Sequence, residues 1–315
     1  MTIPPAGPVR RRAAGPFLIL ALIGLLVAAA SLLGCAALKG VPGASALGLD
    51  DERNARKIGE NLGTMAASGD LTRSASFDMT QEHHLGKTVA AQVLVRLGGQ
   101  ALPPEHPASR YLRQVGTVVA LAAAGLHAED DRPAPLRGWR FIPVESPTVN
   151  AVGNPGGFVL VTTGLLRAVR SEDELAAVLA HEVAHVQRGH TVAPVEAARK
   201  QEQLTSGLLE GTSDALNAFF GKVVTLGADF VLDKGFGKRN ELEADALAAR
   251  ALAEAGYDPA ALATFLRRLE GPAASGGFFS RHPPAAERVA ALGAPHEGPI
   301  PPVRRERLAK AVASL

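Results

Sequence analysis

His181-Glu182-Val183-Ala184-His185 is the stretch of this chain whose residue types and spacing can do chemistry. Residues four apart on an α-helix differ by about 40° in azimuth, so His181 and His185 project from one face, one turn apart. Two imidazoles so placed can share one metal ion, and zinc is the usual choice for this spacing. Glu182 lies about 100° further round the helix. From there its carboxylate can act as a general base toward water rather than as a ligand. Metal-assisted hydrolysis is the chemistry that the pattern points to.

The flanking residues supply the helix that this chemistry needs. Ser171 followed by Glu174 is a capping-box start. Leu175, Val178, Leu179, Val183 and Val186 give an apolar, helix-compatible run, and Gly189 ends it. Two histidines leave zinc short of protein ligands, because a catalytic site usually has three. The extended pattern H-E-x-x-H-x-x-G-x-x-H would need glycine at 188 and histidine at 191. The sequence has Arg188 and Thr191 instead, so His190 reads as a helix-end residue favoured by the dipole. The better candidate is Glu241, in Arg239-Asn240-Glu241-Leu242-Glu243-Ala244-Asp245. Glu241 and Asp245 share a helical face, so one can ligate while the other accepts the N–H of a ligand histidine. Glu243 points about 200° away from Glu241.

The rest of the chain is scaffold and address. Helical spacing marks 77–97, 111–126, 239–255 and 260–270, with a last helix starting at Ala285. Residues 139–144 and 157–163 read as short strands, with Asn154-Pro155-Gly156-Gly157 as the turn before the second. The predicted architecture is a mostly helical α+β domain with a small β-sheet beside the H-E-x-x-H helix. Residues 191–238, dotted with glycine, read either as a mobile cover over the cleft or as a packed helical hairpin. His83, His84, His106 and His127 read as solvated or capping histidines.

At 315 residues the chain has room for a catalytic core of ordinary size. Its net charge is +2, and Arg10, Arg11 and Arg12 more than account for it. The near-neutral remainder gives no electrostatic reason to expect nucleic-acid binding. Those arginines, the apolar stretch 17–33 and then Gly34-Cys35 have the layout of a secretory leader. The segment resembles the bacterial lipobox, in which the cysteine is lipidated; an uncleaved membrane anchor is the alternative. With Cys35 as the only cysteine, no intramolecular disulfide can form.

Taken in order, the motifs resemble one family. They are His181-Glu182-x-x-His185, Glu241-x-x-x-Asp245, and Phe279-Ser280-Arg281-His282-Pro283 with Arg288 six past the histidine. The chain is similar to the zinc endopeptidases that include the CAAX prenyl protease, the heat-shock protease HtpX and the Oma-type mitochondrial protease. With the lipobox it looks most like the periplasmic lipoprotein branch (BepA- and LoiP-like). The resemblance implies a zincin-like fold and one Zn2+ per chain, held by His181, His185 and Glu241, with Glu182 as general base. It implies that Asp245 orients a ligand histidine and that His282 and Arg288 lie near the substrate or oxyanion. It also makes the strand 158–163 the edge that pairs with an extended peptide. The expected layout is a leader over 1–34, a tether over 35–75, a zinc metallopeptidase domain over 76–298 and a tail over 299–315. The expected setting is the bacterial envelope: a lipid anchor at Cys35, the periplasmic face and, with Ala36 after the cysteine, the outer membrane. Unfolded or misassembled envelope proteins would be the substrates. A membrane-tethered chaperone with a structural or latent zinc site is the alternative.

Overall fold

The computed structural model of the chain describes residues 76–128, 131–205, 213–269, 285–292 and 301–315. The expected leader and tether, Cys35 and His282 lie outside them. Among the described residues, no helix is long and apolar enough to cross a membrane.

Helix α1 (Met79–Leu97) starts on a full capping box. Asp78 accepts from the N–H groups of Thr80 and Gln81 at 2.7 and 2.8 Å, and Gln81 accepts from Asp78 N–H at 3.2 Å. Helix α2 (Pro107–Ala124) starts earlier than its apolar spacing suggests, because His106 Nδ1 caps it from Ala108 N–H at 3.2 Å and Pro107 fills its first turn. His106 is thus the capping residue that its surroundings allowed.

Next come β1 (Arg140–Val144), β2 (Ala151–Asn154), a 3-10 turn over Pro155–Gly157 and β3 (Phe158–Thr162). The sheet order is β1-β3-β2, with β3 parallel to β1 and antiparallel to β2. Phe158 faces Arg140 on one side and Asn154 on the other. The strand expected to be an edge open to peptide is therefore the central one, and β2 is the edge beside the histidine helix. The reason lies in the run Phe158-Val159-Leu160-Val161, which has no polar position to give to water. Val159 and Val161 face one apolar core with α2, while Phe158 and Leu160 face a second core with α1. A strand apolar on both faces belongs in the middle of a layered structure.

The helices that follow are α3 (Thr163–Ala168), α4 (Glu172–Gln187), α5 (Ala193–Thr205) and α6 (Ser213–Asp229), the last running into a π turn at Phe230–Lys234. Then come α7 (Lys238–Glu254), α8 (Ala261–Leu269), α9 (Ala285–Leu292) and α10 (Pro302–Val312). Every residue of α4 is buried, so the chemistry-bearing helix runs through the interior rather than along a surface. The described part of 191–238 is the packed alternative: Val192, Val195, Val223, Val224 and Ala228 share a core with Val89 and Val93 of α1. His83 also departs from expectation. It is buried, with its ring 5.4 Å from that of Phe158, and burial first, then the charges of His84 and Arg137, lower its pKa to about 4.

Helix α1 lies directly on the turn before β3. A Cβ added at Gly86 would stand 1.8 Å from Pro155 O, which is backbone and cannot swing aside. Gly86→Ala should therefore separate helix from turn, with a loss of at least about 1–3 kcal/mol. A lowered denaturant midpoint would show it; an unchanged midpoint would contradict this packing.

Candidate metal centre

The first turn of α4 is fixed from several directions. Ser171 Oγ accepts from Glu174 N–H at 3.1 Å, as expected, but the Glu174 carboxylate reaches back to Arg170 N–H at 2.7 Å rather than to the cap residue. Glu172 accepts from Tyr111 OH at 3.1 Å, Tyr257 OH at 3.2 Å and Arg307 Nε at 2.8 Å. Asp173 accepts from Asp258 N–H at 3.0 Å. Three carboxylates at a helix N-terminus oppose its positive dipole end, and here they also tie α4 to α2, to the turn after α7 and to α10.

Two turns further on, His181 and His185 are fully buried and their Nε2 atoms are 3.0 Å apart. Glu241, in the first turn of α7, brings Oε2 to 3.4 Å from His181 Nε2 and Oε1 to 3.5 Å from His185 Nε2. Four donors around a tetrahedral zinc at about 2.0–2.1 Å lie roughly 3.3 Å from one another. Among the described residues these three form a group that could hold a metal ion, with donor atoms all within 4.8 Å of one another. The donor set, two imidazoles and a carboxylate, suits zinc and leaves a position open.

The remaining ring nitrogen of His181 is also held. Asp245 Oδ1 lies 2.8 Å from His181 Nδ1, the arrangement expected of a residue one turn beyond a ligand. Arg288 in turn grips Asp245 with two parallel bonds, Nε to Oδ2 at 2.8 Å and Nη2 to Oδ1 at 2.6 Å. Burial and the Arg288 charge push His181 toward neutrality, but hydrogen bonds to Asp245 and Glu241 outweigh them and raise its pKa to about 9. Burial would raise the Asp245 carboxyl; Arg288 and His181 instead lower it. The environment thus favours a positive charge at His181. Arg288 is only 1% exposed; besides Asp245, its Nη2 lies 3.3 Å from His181 Nδ1 and 3.4 Å from His181 Nε2, and its Nη1 lies 3.7 Å from Glu241 Oε2, so it packs directly against the donor cluster. Asp245→Ala would strand this guanidinium in the interior, at a cost of about 3–5 kcal/mol. Chemical denaturation would read that loss; a variant as stable as wild type would contradict it.

Glu182 points to the sheet side. Its Oε2 accepts from Gly153 N–H of β2 at 2.6 Å. A Cβ at Gly153 would sit 2.9 Å from Glu182 O and 3.2 Å from Oε2, so glycine is what lets strand and helix approach. Sequence reading missed both β2 and Gly153; the Asn150-Ala151 preceding the Pro-Gly-Gly turn was the available signal. His190 is more enclosed than a helix-end residue need be. It sits at the helix end and outside the group of donors, but it is buried, and burial lowers its pKa. Glu243 is the half-exposed neighbour of Arg188 and His190, not part of the centre.

A buried helix carrying two histidines one turn apart, a carboxylate from a second helix, and a glutamate pinned by an edge strand define a zincin-like metallohydrolase centre. The chain belongs to peptidase family M48, whose family model matches residues 108–296, more than half of its length. It is 29% identical over 212 residues to the mitochondrial metalloendopeptidase OMA1 of Schizosaccharomyces pombe, covering 66% of this chain and 59% of that protein. It is 34% identical over 155 residues to the protein of that name from Arabidopsis thaliana, covering 48% of this chain and 30% of that one. It is also 29% identical over 136 residues to the beta-barrel assembly-enhancing protease of Escherichia coli, covering 42% of this chain and 28% of that one. The chain thus spans less than two thirds of the length of each of these relatives.

Proposed function

We propose that the chain is a zinc-dependent metalloendopeptidase. His181, His185 and Glu241 hold the metal, Glu182 is the general base, and Asp245 and Arg288 position His181. The observation that carries this reading is the convergence of two Nε2 atoms and one carboxylate at 3.0–3.5 Å beside a glutamate fixed by a backbone N–H. Zinc in such a centre acidifies water and polarises a peptide carbonyl. The chain's own residues supply the rest. The Glu182 carboxylate, oriented by Gly153, takes the proton of the attacking water and delivers it to the leaving amine. The Asp245–Arg288 pair keeps His181 in the tautomer that presents Nε2. Because β3 is internal, the edge offered to an extended peptide is β2. His282 keeps, by resemblance alone, its expected place on the substrate side.

The proposed substrates are unfolded or unassembled proteins of the bacterial envelope, with the enzyme lipid-anchored at Cys35 on the periplasmic face of the outer membrane. The support is the lipobox-like leader together with relatives named for beta-barrel assembly. Other relatives carry mitochondrial names, so this reading of the setting rests on the leader. Incubating the purified full chain with an unfolded protein, with and without a zinc chelator, tests the activity. Cleavage that stops on chelation and returns with zinc is expected. A chain that binds unfolded protein without ever cleaving it would favour the chaperone alternative and overturn the peptidase reading.

A further inference from the structure

The two proposed ligand histidines are not supported in the same way. His181 leans on the Asp245–Arg288 pair, whereas the second nitrogen of His185 meets another imidazole: His185 Nδ1 and His190 Nδ1 are 3.0 Å apart. The end of α4 explains how that contact arises. Gly189, at φ 72°, turns the chain, Gly189 N–H bonds Val186 O at 3.0 Å, and His190 N–H bonds His185 O at 2.9 Å. These two bonds make a Schellman motif, which brings the second residue past the cap against the third residue from the helix end. In Schellman-capped helices that contact is frequently between two apolar side chains; here it joins His190 to His185.

We propose that His190 is a positioning residue for the metal centre, holding His185 so that its Nε2 faces the ion. The role rests on the zinc reading above and goes beyond it. A histidine that gives Nε2 to a metal carries its proton on Nδ1, so the 3.0 Å contact is a donation from His185 to His190 Nδ1. His190 then carries its own proton on Nε2, on the side of Glu243 Oε2 at 3.7 Å. Phe236 completes the mount. Its ring lies 3.9 Å from that of His185 at an interplanar angle of 21°, so the imidazole is bonded at its edge and stacked on its face. His190, one residue short of the ligand position in the extended zincin pattern, thus serves the metal through His185.

Zinc affinity of the purified full chain, measured by competition with a chromogenic chelator, and the visible spectrum of its Co2+ form test this role. His190→Leu is expected to weaken zinc by about 10–100-fold and to change the Co2+ absorption, because the orienting acceptor is gone. His190→Gln, whose amide oxygen can take the same hydrogen bond, is expected to recover most of the affinity and the wild-type spectrum. If the Leu variant does not fold, His190→Phe, which keeps a ring and removes the acceptor, replaces it in the comparison. A non-accepting variant that binds zinc as tightly as wild type with an unchanged Co2+ spectrum would overturn the proposal. So would a Gln variant as impaired as the Leu variant. Glu241→Ala separates the two claims: if that variant binds zinc like wild type, the metal centre itself is wrong, and the role of His190 falls with it. If Glu241→Ala loses zinc while His190→Leu does not, only the positioning role fails.

Discussion

Glu182→Gln is expected to bind metal as the wild type does and to cleave an unfolded protein about 10²–10⁴-fold more slowly. The substitution keeps shape and volume and removes only the ability to take up a proton. The carboxamide oxygen can still accept from Gly153 N–H, now 2.6 Å from Oε2, so β2 and α4 keep their spacing. Glu182 lies outside the group of donors that could hold the metal, so zinc content should stay near one per chain. Metal analysis alongside a cleavage assay reads both quantities. Loss of zinc in this variant would make Glu182 a ligand rather than a base, and undiminished cleavage would remove it from the mechanism.

Glu241→Ala is expected to lose both metal and activity. Structural zinc sites with four protein ligands bind with about 10–16 kcal/mol, so one ligand accounts for about 3–4 kcal/mol, on the order of 10²–10³-fold in affinity. Among the described residues the neighbouring carboxylates are engaged or turned away: Asp245 is committed to Arg288 and His181, Glu182 accepts from Gly153 N–H, and Glu243 is 40% exposed on another face of α7. The fold should survive, since Glu241 contributes little apolar packing. Zinc content after gel filtration, with circular dichroism as the check on folding, measures the effect. A folded variant that retains stoichiometric zinc would remove Glu241 from the ligand set.

Much of this centre was legible in the sequence because it is written at helical spacing. His181 and His185, and then Glu241 and Asp245, are both i, i+4 pairs, and each sits on a helix whose apolar rhythm and caps are local features. What pairs across the fold was not legible. Arg288 meets Asp245 across 43 residues of sequence, and Gly153 meets Glu182 across 29. Strand β2 was missed because its four residues, Ala151-Val152-Gly153-Asn154, have neither alternation nor β-branched density; it is a strand because β3 pairs with it. The placement of β3 at an edge came from the resemblance, although its unbroken apolar run already argued for burial on both faces. His83 was misread for a similar reason, since nothing local says that its helix faces the sheet. The contact of His190 with His185, by contrast, was available in principle: Gly189 just past the helix end calls for a Schellman turn, and that turn brings residues 190 and 185 together.

The proposed function stands on one zinc ion held by His181, His185 and Glu241. Titrating the metal-free full chain with zinc while following cleavage of an unfolded protein tests it most directly. No cleavage is expected without metal, recovery should saturate at one equivalent of zinc, and Glu241→Ala should not recover at the same concentrations. Cleavage by the metal-free chain, or a Glu241→Ala protein that recovers along the same curve, would contradict it.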